Sequence, residues 1–145
     1  WYAQDKFDPS AVIDLATLTG AIVVALGHEN AGMYANDEDL AHALTVAGQA
    51  EGEPVWRMPL SAAYDKLIDT PNADMKNIAA KPIAGSIVGA QFIKRFIKDG
   101  TPWAHIDIAG TAWKPAPYED PISPAWATGY GVRLLNRLIQ SRYEE

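Results

Sequence analysis

"AVIDLATLTGAIVVALG", residues 11–27, is the stretch on which the fold turns. Its first part, "AVIDLAT", is apolar and partly β-branched, which suits a buried strand. Its second part, "TGAIVVALG", fits a short buried helix or a second strand, and its length does not decide between them. Thr17, Thr19 and Gly20 interrupt what would otherwise be one core segment. Glycine lets a backbone come close to a ligand, and it equally makes a tight turn.

Working outward, "WYAQDKFDP" reads as the last turns of a helix stopped by Pro9. A domain rarely begins inside a helix, so the expectation is the C-terminal piece of a longer chain. "AGMYAN" is a short strand. Asp37 caps a helix of about three turns, with Leu40, Leu44 and Ala47 one above another and Gly52 past its end. "VWRMPL" is extended, and Ser61 starts a short helix through Ile68. "TPNADMKNIAAKP" is a loop with room for one short strand. Pro82 opens the strongest helix, 83–98, whose apolar face is Ile83, Ile87, Ala90, Phe92, Ile93, Phe96 and Ile97. "WAHIDIAG" is a strand with Ala104, Ile106 and Ile108 on one face and His105 and Asp107 on the other. A Pro-rich loop, Gly110 to Pro124, precedes a last helix from Gly129 to Arg142 carrying Val132, Leu135, Leu138 and Ile139. Strands alternate with helices, so the fold class is α/β.

Composition excludes several classes. With 145 residues the chain can bury a real core. A net charge of −6 with scattered bases argues against nucleic acid, which needs clustered Lys and Arg. Lys94, Arg95 and Lys98 form one tight group, spaced as a solvated helix face. No apolar run approaches a membrane span. There is no cysteine, which removes disulfides, thiolate zinc sites and cysteine nucleophiles and permits a reducing compartment.

Common catalytic motifs fail. "HENAG" lacks the second histidine of H-E-x-x-H. "AGSIVG" does not place Ser86 between glycines as G-x-S-x-G requires. No phosphate-binding glycine loop is present. His42 falls on a solvated helix face. His105 and Asp107 are either a polar pair at an active-site rim or a hydrogen-bonded strand face under a loop. Asp14 and Asp107 sit in apolar strands, where an unpaired charge is costly. They are metal ligands, or they pair with a base or cap a neighbouring loop. "DLATLTG" and "HIDIAG" both end a strand on small residues, which points to one shared crevice at strand ends.

At "DLATLTGA" the sequence resembles the leucine (cytosol) aminopeptidase family of dinuclear metallopeptidases. "FDPSAVIDLATLTGAIVVALG", "VWRMPL", "ADMKNI", "AGSIVGAQFI", "WAHIDIAGTAW" and "ATGYGVRLL" follow in the order of that family's catalytic domain, across essentially the whole chain. The resemblance implies a mixed central sheet flanked by helices, with residues 1–145 as the C-terminal portion of the catalytic domain. It implies a cytoplasmic, hexameric enzyme that releases N-terminal leucine and similar residues from peptides. Two divalent ions, zinc or manganese, would activate the water, with bicarbonate as proton shuttle. The family's Lys/Asp block and its "NTDAEGR" motif are missing from these residues. No metal ligand and no catalytic residue is therefore expected in this chain.

What the resemblance leaves here is the substrate side of the cleft. Thr17, Leu18, Thr19 and Gly20 would line the pocket for the N-terminal side chain. Asn77 and Ile78 would stand on the far side, by the second residue. Ala109 would be the floor of the first pocket and Ala112 its edge, with loop packing an equal reading for Ala112. Two other classes stay open: a degenerate relative acting as a binding or structural module, and an unrelated α/β hydrolase half.

Overall fold

The computed structural model describes residues 1–114 and 126–144. In chain order the elements are α1 (Tyr2–Phe7), β1 (Val12–Ala16), α2 (Gly20–Leu26), β2 (Ala31–Ala35) and α3 (Glu38–Glu51). Then come β3 (Val55–Arg57), α4 (Ala62–Asp65) running into a 3-10 turn (Lys66–Ile68), α5 (Gly85–Lys94), β4 (Trp103–Asp107) and α6 (Val132–Arg142). The strands form one mixed sheet in the order β1-β4-β2-β3. β1 runs parallel to β4, β4 antiparallel to β2, and β2 parallel to β3. Among the described strands, β1 and β3 are therefore the edges.

The undecided half of residues 11–27 is a helix. Thr19 decides it: its backbone is extended and its hydroxyl accepts from the Ile22 amide at 3.2 Å, capping the first turn. Asp37 caps α3 in the same way, accepting from Leu40 N at 2.7 Å. Gly52 ends that helix in the left-handed conformation that glycine adopts without strain.

Helices cover both sheet faces. Leu40, Leu44 and Ala47 of α3 and Leu134 and Leu138 of α6 pack on Ala31, Met33, Ala35, Val55, Ala104 and Ile106. Each of the four leucines is fully buried, worth about 1.5–3 kcal/mol of transfer free energy. On the opposite face, Ile87 and Ala90 of α5 pack on Tyr34 and Trp103. β4 thus alternates as its sequence does: Ala104 and Ile106 look toward α3 and α6, while His105 and Asp107 look the other way.

Four sequence expectations change. The helix expected over 83–98 spans Gly85–Lys94, because Ala84 takes a left-handed backbone (φ 49°) and keeps Pro82 and Ile83 in the loop. The loop after Ile68 carries no strand. The buried stripe of α6 is Leu134 and Leu138, not Val132 and Ile139, which are 69% and 46% exposed. Glu53 sets that rotation: its buried carboxylate accepts from Gly131 N at 3.0 Å and Leu134 N at 2.9 Å. Last, the Lys94–Lys98 group is not simply solvated. Arg95 donates to Asp65 (2.8 and 2.9 Å) and Asp69 (2.6 Å), pulling the Asp65 carboxyl below its usual range. Lys98 donates to Asp5 at 3.2 Å.

Candidate functional site

β1 and β4 are parallel neighbours, so their carboxyl ends stop side by side, with Ala16 opposite Asp107. Both chains leave the sheet there as short glycine-bearing turns. One buried group ties the turns together. Asp107 is fully buried, and its Oδ1 accepts from Leu18 N at 3.1 Å and from Ala109 N at 3.2 Å. Its Oδ2 accepts the Thr19 hydroxyl at 2.7 Å. Thr19 receives the Ile22 amide on the same oxygen, so the carboxylate, the wall and the start of α2 form one chain of hydrogen bonds. Three donors on one carboxylate compensate a charge that burial alone would make costly.

The second wall comes from α5 and the loop before it. Gly85 and Gly89 stand one helical turn apart and face "TLTG". A Cβ at Gly89 would lie 2.9 Å from Leu18 Cδ2 and 3.2 Å from Thr19 Cγ2. A Cβ at Gly85 would lie 3.1 Å from that of Ala21. Glycine at both positions lets the helix close on the strand end. Between the walls is a cavity of about 460 Å³. Leu18 and Thr19 line one side, and Asn77 and Ile78 the other, with Val88 and Gly89 between. Ile78 is 75% exposed and offers an apolar side chain at the cavity.

Of the eight substrate-side residues expected from sequence, the fold brings Leu18, Thr19, Asn77 and Ile78 to this cavity. Thr17, in the turn after β1, and Gly20, the first residue of α2, are exposed and do not line it. Ala109 is tied to Leu18 through the shared Asp107 oxygen but lies outside the cavity lining. Ala112 lies in a turn, its amide bonded to Ile108 O at 2.8 Å and its carbonyl to Thr128 N at 3.1 Å. Sequence reasoning missed Lys81, Ile83, Gly85, Val88 and Gly89. The visible signal was the four-residue glycine spacing in "GSIVG", which puts both glycines on one helix face.

His105 and Asp107 are not a pair. His105 Nδ1 donates to Asp14 Oδ1 at 2.5 Å, and Trp103 Nε1 donates to Asp14 Oδ2 at 2.9 Å. Both strand aspartates thus take the reading of a carboxylate paired with a base or capping a loop. The Tyr34 ring stacks on His105, and burial pushes its phenol up to about 12. Ser86 beside it eases that rise without meeting hydrogen-bond geometry, so Tyr34 Oη has no partner among the described residues, and neither has His105 Nε2. Among the described residues no group of three or more His, Cys, Asp or Glu could hold a metal. Asp14 already takes two donors and Asp107 three, and the two carboxylates are engaged at separate places. This donor set does not fit a dinuclear centre.

Taken together, a mixed α/β sheet with a cleft at the carboxyl ends of two parallel strands places the chain in the α/β class, in which ligands commonly bind at strand ends. The chain belongs to the cytosol aminopeptidase family, whose catalytic-domain model matches residues 1–136. It is 58% identical over 144 residues to a "Probable cytosol aminopeptidase" of Chelativorans sp. (strain BNC1), covering 99% of this chain and 28% of that protein. It is 55% identical to the protein of the same name from Caulobacter vibrioides, with 99% and 29% coverage. A mutant of tomato leucine aminopeptidase superposes with a TM-score of 0.84 at 39% identity, covering 97% of this chain and 26% of that one. The chain thus spans between a quarter and a third of the length of the relatives it matches. No helix among the described residues is long and apolar enough to cross a membrane.

Proposed function

We propose that these residues form the substrate-binding part of an aminopeptidase that releases N-terminal leucine and similar residues from peptides, and that they are the C-terminal portion of its catalytic domain. The observation that carries the reading is the cavity between Leu18–Thr19 and Asn77–Ile78, with the first wall tethered by Asp107. Family membership and the short coverage of the relatives support it. Asn77 and Ile78 line the cavity together with Leu18 and Thr19, and in this reading it takes the side chain of the second residue. The first residue then lies over Ala109, with the turn from Thr17 to Gly20 offering its backbone groups.

In this reading two divalent ions, zinc or manganese, with bicarbonate, supply an activated water and a proton carrier in the complete protein. Their ligands belong to residues outside this chain. The role of this chain is to bind and orient the peptide, in a cytoplasmic homo-hexamer. The loop from Gly110 to Pro124, a candidate for subunit contacts, lies mostly outside the described residues.

The test is hydrolysis of Leu-p-nitroanilide in the presence of Mn²⁺ or Zn²⁺. The full-length protein is expected to turn it over and the 145-residue chain alone is not. An inactive full-length protein that still binds peptides favours the binding-module reading. Metal-dependent turnover by the chain alone overturns the assignment of the ligands elsewhere.

A further inference from the structure

The cavity wall opposite Leu18 and Thr19 carries a single charge. Among the described residues, Lys81 is the only basic or acidic side chain lining the cavity, three residues past Ile78. It is exposed, and no carboxylate pairs with it among the described residues. The other long side chains around it are Leu18, Ile78, Ile83 and Val88. An ammonium group beside apolar walls attracts an anion more strongly than one surrounded by water. The chain as a whole carries −6, so an unpaired cation at this mouth goes against the general field.

A peptide lying in this cleft advances about 3.3–3.6 Å per residue. With the second side chain in the cavity, the next group along the backbone lies within the reach of a lysine stem. In a dipeptide that group is the free C-terminal carboxylate. In a longer peptide it is a neutral amide.

We propose that Lys81 is a specificity-determining residue that selects dipeptides with a free C-terminal carboxylate. This rests on the aminopeptidase reading above. Lys81 takes no part in bond cleavage. Its contribution is to binding, so it shows in KM more than in kcat.

The experiment compares Leu-Leu with Leu-Leu-amide on the full-length protein, using kcat/KM. The native protein is expected to favour the free acid by about fivefold, the size of a partly exposed ion pair. Lys81→Gln should bring the ratio to about one, and Lys81→Glu should reverse it toward the amide. The acid-to-amide ratio is read within each variant, so any loss of folded protein cancels. A third substrate, Leu-Glu-amide, separates the C-terminal carboxylate from an acidic side chain. If it gains as much from Lys81 as Leu-Leu does, the choice of dipeptides is overturned. Equal turnover of acid and amide by the native protein, or an undiminished ratio in Lys81→Gln, overturns the proposal alone. No turnover of any of the three overturns the aminopeptidase reading and this proposal with it.

Discussion

Replacing Asp107 probes the wall of the cleft directly. Its carboxylate accepts three hydrogen bonds while fully buried: Leu18 N and Ala109 N on Oδ1, and the Thr19 hydroxyl on Oδ2. Asp107→Asn keeps a carbonyl oxygen for the two backbone amides. It loses the charge, and it sets an NH₂ against a hydroxyl that already accepts from Ile22 N. The threonine oxygen accepts the new donor, but its own proton loses its partner. The net loss is about 1–2 kcal/mol. Asp107→Ala leaves three partly buried donors without their acceptor. At about 1–3 kcal/mol each, less the relief of no longer burying a charge, the loss is about 3 kcal/mol or more. Hydrogen exchange read by mass spectrometry on peptides spanning residues 17–22 and 108–112 of the full-length protein measures this local opening. At about 1.4 kcal/mol per tenfold, exchange should rise roughly tenfold in Asp107→Asn and at least about a hundredfold in Asp107→Ala. Both segments should move together, since one carboxylate holds both. Exchange in Asp107→Ala within twofold of native, or a change confined to one segment, refutes the reasoning.

Three further outcomes follow from the same geometry. Gly89→Ala places a Cβ 2.9 Å from Leu18 Cδ2, and that flexible end must swing into the cavity. Melting should move little, because alanine regains up to about 1 kcal/mol of helix propensity, while kcat/KM for Leu-Leu should fall about tenfold relative to Leu-Gly. Glu53→Ala strips the buried cap of α6 at Gly131 N and Leu134 N and frees Arg133 from its 3.1 Å bond. It should cost about 2–4 kcal/mol and make residues 126–144 the first site of limited proteolysis, and an unchanged digestion pattern would count against this role. Arg95→Met removes the partner that holds the Asp65 carboxyl below its usual range. The stability difference from native should be present above the ordinary Asp pKa of about 4 and vanish as pH falls through the lower folded value. The pair is partly solvated (side chains 21% and 37% exposed), so the difference should stay under about 1 kcal/mol in denaturant titrations at pH 7.

Much of the fold was legible because its signals are local. "AVIDLAT" and "WAHIDIAG" carry enough β-branched and alternating character to be strands, and Asp37 and Gly52 mark both ends of α3. α2 was ambiguous because its nine-residue run fits either period, and only the Thr19 cap separates them. α5 and α6 were misread at their edges for tertiary reasons. Ala84 adopts a left-handed backbone that no propensity predicts, and α6 is turned by a glutamate some eighty residues away. Half of the candidate site residues read from sequence line the cavity. The resemblance marked Leu18, Thr19, Asn77 and Ile78, which the fold does gather. It gave no hint of Lys81, and the glycine pair of α5 looked only like a failed nucleophile motif. Asp107 was noticed as a costly buried charge, but its three partners lie on two separate turns, and only the parallel pairing of β1 with β4 brings them together.

The central claim is that the cavity between Leu18–Thr19 and Asn77–Ile78 holds the second residue of a peptide. A crystal structure of the full-length protein with a non-hydrolysable leucyl-leucine analogue tests it most directly. The account predicts the second side chain in contact with Leu18, Ile78 and Val88, and the C-terminal carboxylate toward Lys81. An analogue bound elsewhere with this cavity empty, or bound in it with the carboxylate pointing away from Lys81, would contradict it.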